Sequence, residues 1–175
     1  AFADARWYVA DPATCSVPVA GLLSKEYAAE RRRLIDPQRA RLTAQRGLPP
    51  PSADTVYFCT VDRWGNACSF INSTYMSFGT GIVPARCGFA IQNRGANFVL
   101  DPRHPNCLAP RKRPYHTIMP GMLTAEADNS LLGPFGVMGG FMQPQGHLQV
   151  VVGLVDDRLD PQAALVRPRF FLPDA

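Results

Sequence analysis

The chain has 175 residues, of which 46% are hydrophobic and 18% are charged. This length and balance suit one domain or a large piece of one, and they exclude disorder as a description of the whole. The formal charge of +4 is small and scattered, which argues against a nucleic-acid-binding protein. No apolar run approaches the ~20 residues that a membrane span needs. We therefore expect neither a nucleic-acid partner nor a membrane.

The cysteines and histidines do not form a recognisable structural or metal-binding pattern. Five cysteines without a C-x-x-C pair fit neither a disulfide framework nor a zinc site, so reduced and mostly buried thiols are expected. The three histidines are too widely spaced for known zinc patterns, and we expect no metal and no other cofactor. Reduced thiols favour a cytoplasmic protein. Because the first residue is Ala, the natural start is expected upstream and targeting cannot be read, so a periplasmic or secreted location stays open.

The N-terminal third of the chain predicts turns, helices and a linker. Residues 1–20 alternate weakly and contain an Asp-Pro step, which favours extended chain and turn. A helix is expected over about 24–34, with Ser24 as its N-cap. A second short helical piece is expected over 37–45. Residues 48–54 contain three consecutive prolines and predict a stiff linker.

Immediately after the linker the hydrophobic period changes to two. The segments 55–61 and 67–72 are rich in β-branched, aromatic and small residues and predict two strands of a hairpin. The intervening segment 62–66 supplies the turn. Residues 88–92 predict a short third strand, and residues 132–138 predict a further one.

The remaining elements are less sharply defined by their pattern. Proline recurs through 101–120, so this stretch is expected to be irregular. The apolar segment 147–154 fits a strand or a helix equally well. A helix is expected to start after Asp160, which can cap it, with Pro161 in its first turn.

The step from Asp54 to Thr55 has a specific chemical use. If this bond is cut, the α-amine of Thr55 lies beside its own hydroxyl and titrates near pH ~8, so it can take the hydroxyl proton. In the uncut chain the same hydroxyl can attack the preceding carbonyl and give an ester that water opens. Judged by local sequence alone, a Thr that merely opens a β-strand is the commoner situation.

Several runs, in their order and spacing, resemble the region around the small-subunit start of gamma-glutamyltransferases (gamma-glutamyltranspeptidases). These runs are Asp54–Ala67, Phe78–Pro84, Lys112–Pro114, Gly139–Gly140 and Ala164–Phe170. The resemblance implies an α+β N-terminal-nucleophile hydrolase with a four-layer αββα sandwich, here only partly represented. It also implies a proenzyme that cuts itself between Asp54 and Thr55. Residues 1–54 would then end the large-subunit segment, and residues 55–175 would form a small-subunit segment truncated at its C-terminus.

The resemblance also implies the partners of this chain. Family proenzymes carry a long segment before the position of Ala1, and that upstream large-subunit segment is the expected partner. Processed heterodimers are expected, and a dimer of them (a heterotetramer) is compatible with the family. The expected ligand is a small-molecule amide.

Four positions match the catalytic residues of the family. Thr55 matches the nucleophile, and Ser73, eighteen positions on, replaces a Thr that hydrogen-bonds the nucleophile. A Ser hydroxyl can make the same bond. Gly139 and Gly140 match the paired glycines whose N–H groups form the oxyanion hole. Without the resemblance, Ser73 would be an ordinary strand-end hydroxyl and the glycine pair a tight turn.

The substrate-reading positions depart from the family pattern. Tyr75 replaces the Asn that holds the glutamyl group, whereas Arg94 and Asn97 replace the polar and acidic residues that grip its α-amino group. His116 and Thr117 replace the two serines that bind its α-carboxylate. A guanidinium disfavours an ammonium group and suits a carboxylate or a carbonyl, which argues against ordinary glutamyl recognition. A solvated surface arginine is the alternative for Arg94.

The runs Gln92–Gly95, Leu100–Pro102 and Phe135–His147 resemble a branch that includes cephalosporin acylases and small-amide amidohydrolases. Three functions therefore stay open. The first is an autoprocessing enzyme that cleaves an amide through a Thr acyl-enzyme and hydrolyses or transfers a gamma-glutamyl-like group, as from glutathione. The second is an amidohydrolase acting on a glutaryl, cephalosporin-like or oxamate-like amide. The third is a non-catalytic fragment or interaction domain, which the retention of both hydroxyls and both glycines disfavours.

Overall fold

The computed structural model describes residues 2–38 and 55–172 of the chain. They form two compact units, the first from residues 2–38 and 95–115 and the second from residues 55–94 and 116–172. The linker, Asp54 and all but the first two residues of the expected helix over 37–45 lie outside the described residues. The division at the Asp54–Thr55 bond concerns a cleavage position and stays a prediction.

The first unit begins with three helices. They are α1 (Phe2–Tyr8), α2 (Val19–Leu22) and α3 (Lys25–Arg33). The third was expected, and the Ser24 hydroxyl caps it by accepting a hydrogen bond from the Tyr27 N–H at 3.1 Å. The expectation of extended chain and turn over 1–20 was wrong where α1 occupies the start of this segment and where α2 begins at its end. In α1 an acidic residue in the first turn favours the helix, and that signal outweighs the weak alternation.

A buried carboxylate, Asp11, organises the loop between α1 and α2. It accepts hydrogen bonds from the Arg113 guanidinium at 2.8 Å, the Arg113 N–H at 3.1 Å and the Ala13 N–H at 3.1 Å. The side-chain hydrogen bond from Arg113 is the main reason why the pKa of Asp11 falls from 3.8 to about 2. This pair joins the N-terminal helices to the 95–115 segment of the same unit.

Replacing Asp11 with Asn is expected to lower the thermal unfolding midpoint of the full-length protein at neutral pH. Because the folded-state pKa of Asp11 is depressed, its stabilisation is complete above the unfolded pKa and is lost as pH falls from about 3.8 toward about 2. The Asn variant should therefore lose less stability over that acidic window. Thermal unfolding followed from pH 7 to pH 2 measures both effects. The matched control is Asp101→Asn, because Asp101 forms an exposed pair with Arg103 and should change the midpoint little.

The second unit begins with the expected hairpin, which is confirmed. Strands β1 (Thr55–Val61) and β2 (Ala67–Ser73) are antiparallel and pair in register from Thr55 opposite Ser73 to Val61 opposite Ala67. The turn is closed by the Asp62 carboxylate, which accepts hydrogen bonds from the backbone N–H groups of residues 64 and 66. Gly65 adopts the positive φ that this turn requires.

A second two-stranded antiparallel sheet follows, made of β3 (Gly121–Thr124) and β4 (Leu131–Phe135). Strand β4 contacts both strands of the hairpin. The further strand expected over 132–138 therefore exists but begins earlier and ends earlier. The short partner β3 was not predicted, because four residues are too few for a clear alternation.

The third strand expected over 88–92 was wrong. Residue Ile91 does make backbone hydrogen bonds, donating to Ile82 and accepting from Thr80, but these belong to the glycine loop rather than to a sheet. Two helices complete the unit, α4 (Met142–Val155) and α5 (Pro161–Val166). Helix α4 includes the segment 147–154, for which the sequence fitted a strand or a helix equally well, so this segment is a helix. The second was expected, and the Asp160 carboxylate caps it at the Ala163 N–H.

The two faces of the hairpin differ in exposure. Thr55 and Tyr57 point toward the side that β4 contacts, whereas Val56 is 62% exposed and Phe58 is 50% exposed on the other face. There the Phe58 and Phe70 rings stack with centroids 4.8 Å apart. This outer apolar face lacks a covering layer within residues 2–38 and 55–172.

The cysteines correct one expectation. All five are free thiols, but none is buried; Cys59, Cys68 and Cys87 are exposed, and Cys15 and Cys107 are intermediate. No helix among the described residues has the length and apolar character to cross a membrane.

Candidate active site

Thr55 and Ser73 are joined directly. Thr55 opens β1 and is 6% exposed, and its Oγ1 donates a hydrogen bond to the Ser73 Oγ over 3.0 Å. The two residues lie opposite each other as the last pair of the hairpin, so the register brings together hydroxyls that are eighteen residues apart. Ser73 Oγ also accepts a hydrogen bond from the Tyr75 N–H at 2.9 Å. The structure thus brings the two hydroxyls together, and their catalytic roles stay predictions.

Tyr75 contacts both this pair of hydroxyls, through its N–H, and a buried cation, the guanidinium of Arg94, through its ring. Its backbone has φ of 79°, and the guanidinium of Arg94 lies over its ring, 5.0 Å from the centroid. Arg94 is only 2% exposed, so the alternative of a solvated surface arginine is wrong. Burial lowers the pKa of Arg94, although a guanidinium stays protonated near neutral pH.

Arg94 is held by a hydroxyl rather than by a carboxylate. Its Nη1 donates to the Oγ1 of Thr117 over 2.7 Å, and Thr117 is also 2% exposed. Within the described ranges no Asp or Glu forms an ion pair with Arg94. A buried guanidinium without a carboxylate partner is a strong binding group for an anionic or carbonyl oxygen.

His116 adds no positive charge near neutral pH. Partial burial of its imidazole, and after it the charge of Arg94, hold the pKa of His116 below its ordinary value. Its Nδ1 accepts a hydrogen bond from the Ile118 N–H at 3.3 Å. Arg94 is therefore the main fixed charge of this group of residues.

Asn97 is the one predicted substrate residue that belongs to the first unit. It ends the 3₁₀ helix Arg94–Asn97, at which the chain passes from one unit to the other. Its side-chain amide donates to the Tyr115 carbonyl over 3.0 Å, and its carbonyl accepts from Asn106. A substrate-binding role for Asn97 stays a prediction.

Gly139 and Gly140 lie between β4 and α4 and both adopt positive φ, 114° and 59°. Their carbonyls accept the first N–H groups of the helix, from Met142 and Gln143, each over 3.0 Å. Their own N–H groups donate no hydrogen bond to any residue that the structure describes. The pair forms a turn, as the simpler interpretation expected, and it also leaves two donors unused beside the positive end of a helix.

The segment that carries these glycines packs on the nucleophile strand. A Cβ on Gly136 would lie 2.3 Å from the ring of Tyr57, which is two residues after Thr55 on the same face of β1. The Ser69 hydroxyl reaches the Phe135 carbonyl at 3.4 Å from the neighbouring strand. Gly136, three residues before Gly139, therefore packs on the strand that Thr55 opens, within the second unit.

Two further polar residues on α4 were not singled out as site residues from the sequence. Gln143 is fully buried, and its Oε1 accepts a hydrogen bond from the Met119 N–H at 2.8 Å, two residues beyond Thr117. His147, one turn later, accepts one from the Val137 N–H at 3.1 Å. The i, i+4 spacing of Gln143 and His147 gave only a weak signal, because Gln145 and Gln149 on the same helix have the same spacing.

Nothing in the described part of the chain gathers three or more His, Cys, Asp or Glu side chains in a way that could hold a metal ion. The site is instead built from hydroxyls, backbone N–H groups and a guanidinium. In acyl transfer a hydroxyl can act as the nucleophile and backbone N–H groups as an oxyanion hole, whereas a guanidinium binds an anionic or carbonyl oxygen of the substrate.

The comparisons with known proteins identify the family of this chain. The family model described as gamma-glutamyltranspeptidase matches residues 1–174. The chain belongs to the gamma-glutamyltranspeptidase family. It is 36% identical over 169 residues to the glutathione hydrolase-like YwrD proenzyme of Bacillus subtilis, covering 97% of this chain and 31% of that protein. It is also 36% identical over 172 residues to the oxamate amidohydrolase proenzyme of Klebsiella pneumoniae, covering 98% and 32%.

Among solved structures, a cephalosporin acylase from Bacillus halodurans is similar with a TM-score of 0.81 and 53% identity. The match covers 96% of this chain and 30% of the acylase chain. The membership in the gamma-glutamyltranspeptidase family and the α+β, N-terminal-nucleophile fold are thereby confirmed, as is the likeness to its acylase branch. The chain spans about a third of the length of these curated relatives.

Proposed function

We propose that this chain carries the catalytic segment of a self-processing amidohydrolase whose nucleophile is Thr55. The observation that carries the proposal is the hydrogen bond from Thr55 to Ser73 at a buried strand start. A buried hydroxyl held in one orientation suits nucleophilic attack, and the bond cut in processing would precede this same residue.

The reaction follows from the groups around Thr55. Its Oγ attacks the amide carbonyl of the substrate, while the free α-amine of Thr55 takes the hydroxyl proton and delivers it to the departing amine. The N–H groups of Gly139 and Gly140 stabilise the oxyanion of the tetrahedral intermediate. Collapse leaves an ester on Thr55 and releases the amine. Water, or an acceptor amine, then attacks the ester and frees the acyl group.

The acyl group is proposed to carry a carboxylate or an adjacent carbonyl and no α-amino group. Arg94 supports this assignment, because its guanidinium is buried over the ring of Tyr75, donates to the hydroxyl of Thr117 and pairs with no carboxylate of residues 2–38 and 55–172. A glutaryl amide has an acyl group with a carboxylate, and an oxalyl amide has one with an adjacent carbonyl, so either could pair with Arg94. The likeness to an oxamate amidohydrolase is consistent with it.

A second candidate is hydrolysis or transfer of a gamma-glutamyl group. The family model and the glutathione hydrolase-like relative favour it. Against it stands the cation at Arg94, which disfavours the ammonium of a glutamyl donor. Direct comparison of substrates separates the two candidates.

The upstream large-subunit segment is the proposed partner. The outer face of the β1–β2 hairpin supports this, since Val56, Phe58 and Phe70 are exposed there and form an apolar surface. Packing this face against another layer would remove it from water at about 25 cal/mol per Å² of apolar area. A processed heterodimer, and the dimer of such heterodimers, remain proposals.

Intact-mass spectrometry of the full-length protein tests the proposal. A cut between Asp54 and Thr55, giving a new N-terminal Thr, is the expected result. A chain that stays intact after long incubation would contradict the proposal and favour the non-catalytic alternative.

Replacing Ser73 with Ala is expected to lower kcat about tenfold, because one hydrogen bond that orients the nucleophile is lost. Ser73→Thr should restore the rate, since it keeps the hydroxyl. Thr60→Ala is the matched control, because it removes an exposed hydroxyl from the same hairpin and leaves Thr55 untouched. Steady-state kinetics on one anilide substrate measure all three. Equal rates for Ser73→Ala and the wild type would contradict the assignment.

A further inference from the structure

Helix α4 holds the glycine turn through one histidine. The Val137 N–H, two residues before Gly139, donates to the Nε2 of His147 over 3.1 Å. One residue earlier on the helix, a Cβ on Gly146 would lie 2.6 Å from the Val137 Cγ1. The absence of a side chain at Gly146 lets Val137 approach closely enough for that hydrogen bond.

The hydrogen bond between Val137 and His147 precedes the glycine turn, which is formed by Gly139 and Gly140. The next hydrogen bonds are those from Met142 and Gln143 to the carbonyls of Gly139 and Gly140, and they hold the turn from its other side. Met138, which connects Val137 to the glycines, is exposed and half of its surface is open to solvent. Among the described residues, Val137 is therefore the last one before the glycine turn whose backbone N–H is hydrogen-bonded.

We propose that His147 is a positioning residue, which aims the Gly139 and Gly140 N–H groups by accepting the Val137 N–H, and that it does so only while its imidazole is neutral. This inference rests on the oxyanion role given to the two glycines under the proposed function. The inference adds His147, which does not touch the substrate, to the residues on which the reaction depends. It also makes the rate depend on the protonation state of His147.

The protonation state matters because Nε2 accepts a hydrogen bond only through its lone pair. A proton on Nε2 turns it into a donor that faces the Val137 N–H, and the contact is lost. Burial lowers the pKa of His147, and no charged group among the described residues contributes to that shift. The ring that faces it is Phe135 of β4, at 5.0 Å, and residues 136–141 contain no titratable side chain. The nearest titratable group on β1 is Tyr57, which lies against Gly136.

The pH profile of kcat provides the first test, on the processed full-length enzyme. In the wild type, log kcat should fall with a slope of about 1 below the pKa of the Thr55 amine and steepen toward about 2 below the pKa of His147. His147→Gln offers an uncharged amide acceptor to Val137, so it should keep kcat within about tenfold and lose the steeper part. His147→Ala should lower kcat about 10²-fold at every pH, with KM changed little, because a donor of the oxyanion hole is misdirected.

His104→Gln is the matched control. His104 also accepts a backbone N–H, that of Asn106 at 3.0 Å, but it belongs to the first unit. This variant should keep both the wild-type rate and the steeper acidic part of the profile. A His147→Gln profile that steepens like the wild type, or a His147→Ala enzyme within about twofold of wild-type kcat, would overturn the inference.

Amide hydrogen exchange separates this inference from the proposed function. In an uncleavable Thr55→Ala protein, the Val137 amide should exchange more slowly at pH 7 than at a pH below the pKa of His147, as determined by NMR titration of the same protein, once rates are corrected for intrinsic pH dependence. The His147→Ala change in that background should remove the protection, whereas His104→Gln should leave it. If the full-length protein never turns over but Val137 behaves this way, the proposed function fails and the coupling to His147 stands. Unchanged Val137 exchange in the His147→Ala background would refute the coupling itself.

Discussion

Replacing Thr55 with Ala is expected to abolish both self-cleavage and turnover while the protein stays folded. The change removes the attacking oxygen, and no other described hydroxyl occupies the start of β1. The loss of turnover should be on the order of 10⁴-fold or more, as for other nucleophile deletions. Gel electrophoresis follows cleavage, anilide hydrolysis follows turnover, and circular dichroism follows the fold.

Two companion variants sharpen this result. Thr55→Ser keeps a hydroxyl at the same place and should retain part of each activity. Thr60→Ala removes an exposed threonine from the same strand and should behave as the wild type. If Thr55→Ala still processes itself and turns over substrate, the mechanism is wrong.

A strong preference for acyl groups without an α-amino group is the second large effect expected. On matched anilides, the glutaryl compound should exceed the gamma-glutamyl compound in kcat/KM by a factor of about 10² or more. An ammonium left unpaired beside a buried guanidinium loses its hydration and gains no partner. Steady-state kinetics on the two compounds, which differ in one amino group, give the ratio directly.

A pentanoyl anilide, which lacks the carboxylate, completes the comparison. If Arg94 pairs with the substrate carboxylate, the pentanoyl compound should also be poor, mainly through a higher KM. A large preference for the gamma-glutamyl compound would refute the pocket argument. That result would favour the second candidate function, hydrolysis or transfer of a gamma-glutamyl group, and would leave the proposed role of Thr55 unchanged.

The parts of the fold that the sequence predicted well are those governed by local rules. The β1–β2 hairpin has an alternating pattern and a turn with Asp62 and Gly65, and helices α3 and α5 have the side-chain caps Ser24 and Asp160. Helix α1 was missed because weak alternation and an Asp-Pro step outweighed a short helical signal. The strand expected over 88–92 failed because its β-like residues pair only within the glycine loop.

The candidate site divides in the same way. Ser73 and the glycine pair were both assigned from the resemblance, and the structure extends the predicted second strand by one residue so that Ser73 lies opposite Thr55. The contact between Arg94 and Thr117 joins residues 23 positions apart through irregular chain, and no periodicity predicts it. The role of His147 depends on how closely Gly146 lets Val137 approach, which is a fact of packing.

The placement of the Thr55–Ser73 pair at the open end of the hairpin has a consequence for how the chain can vary. Side chains alternate between the faces of a strand, so inserting or deleting one residue in either strand would bring Asn72 or Thr74 opposite Thr55. A symmetric change of one residue in each strand keeps the two hydroxyls opposite each other but turns both to the outer face, away from β4. Only a change of two residues in each strand keeps the pair both opposite and on the face that β4 contacts, so the segment between nucleophile and partner can change its length only in such balanced steps.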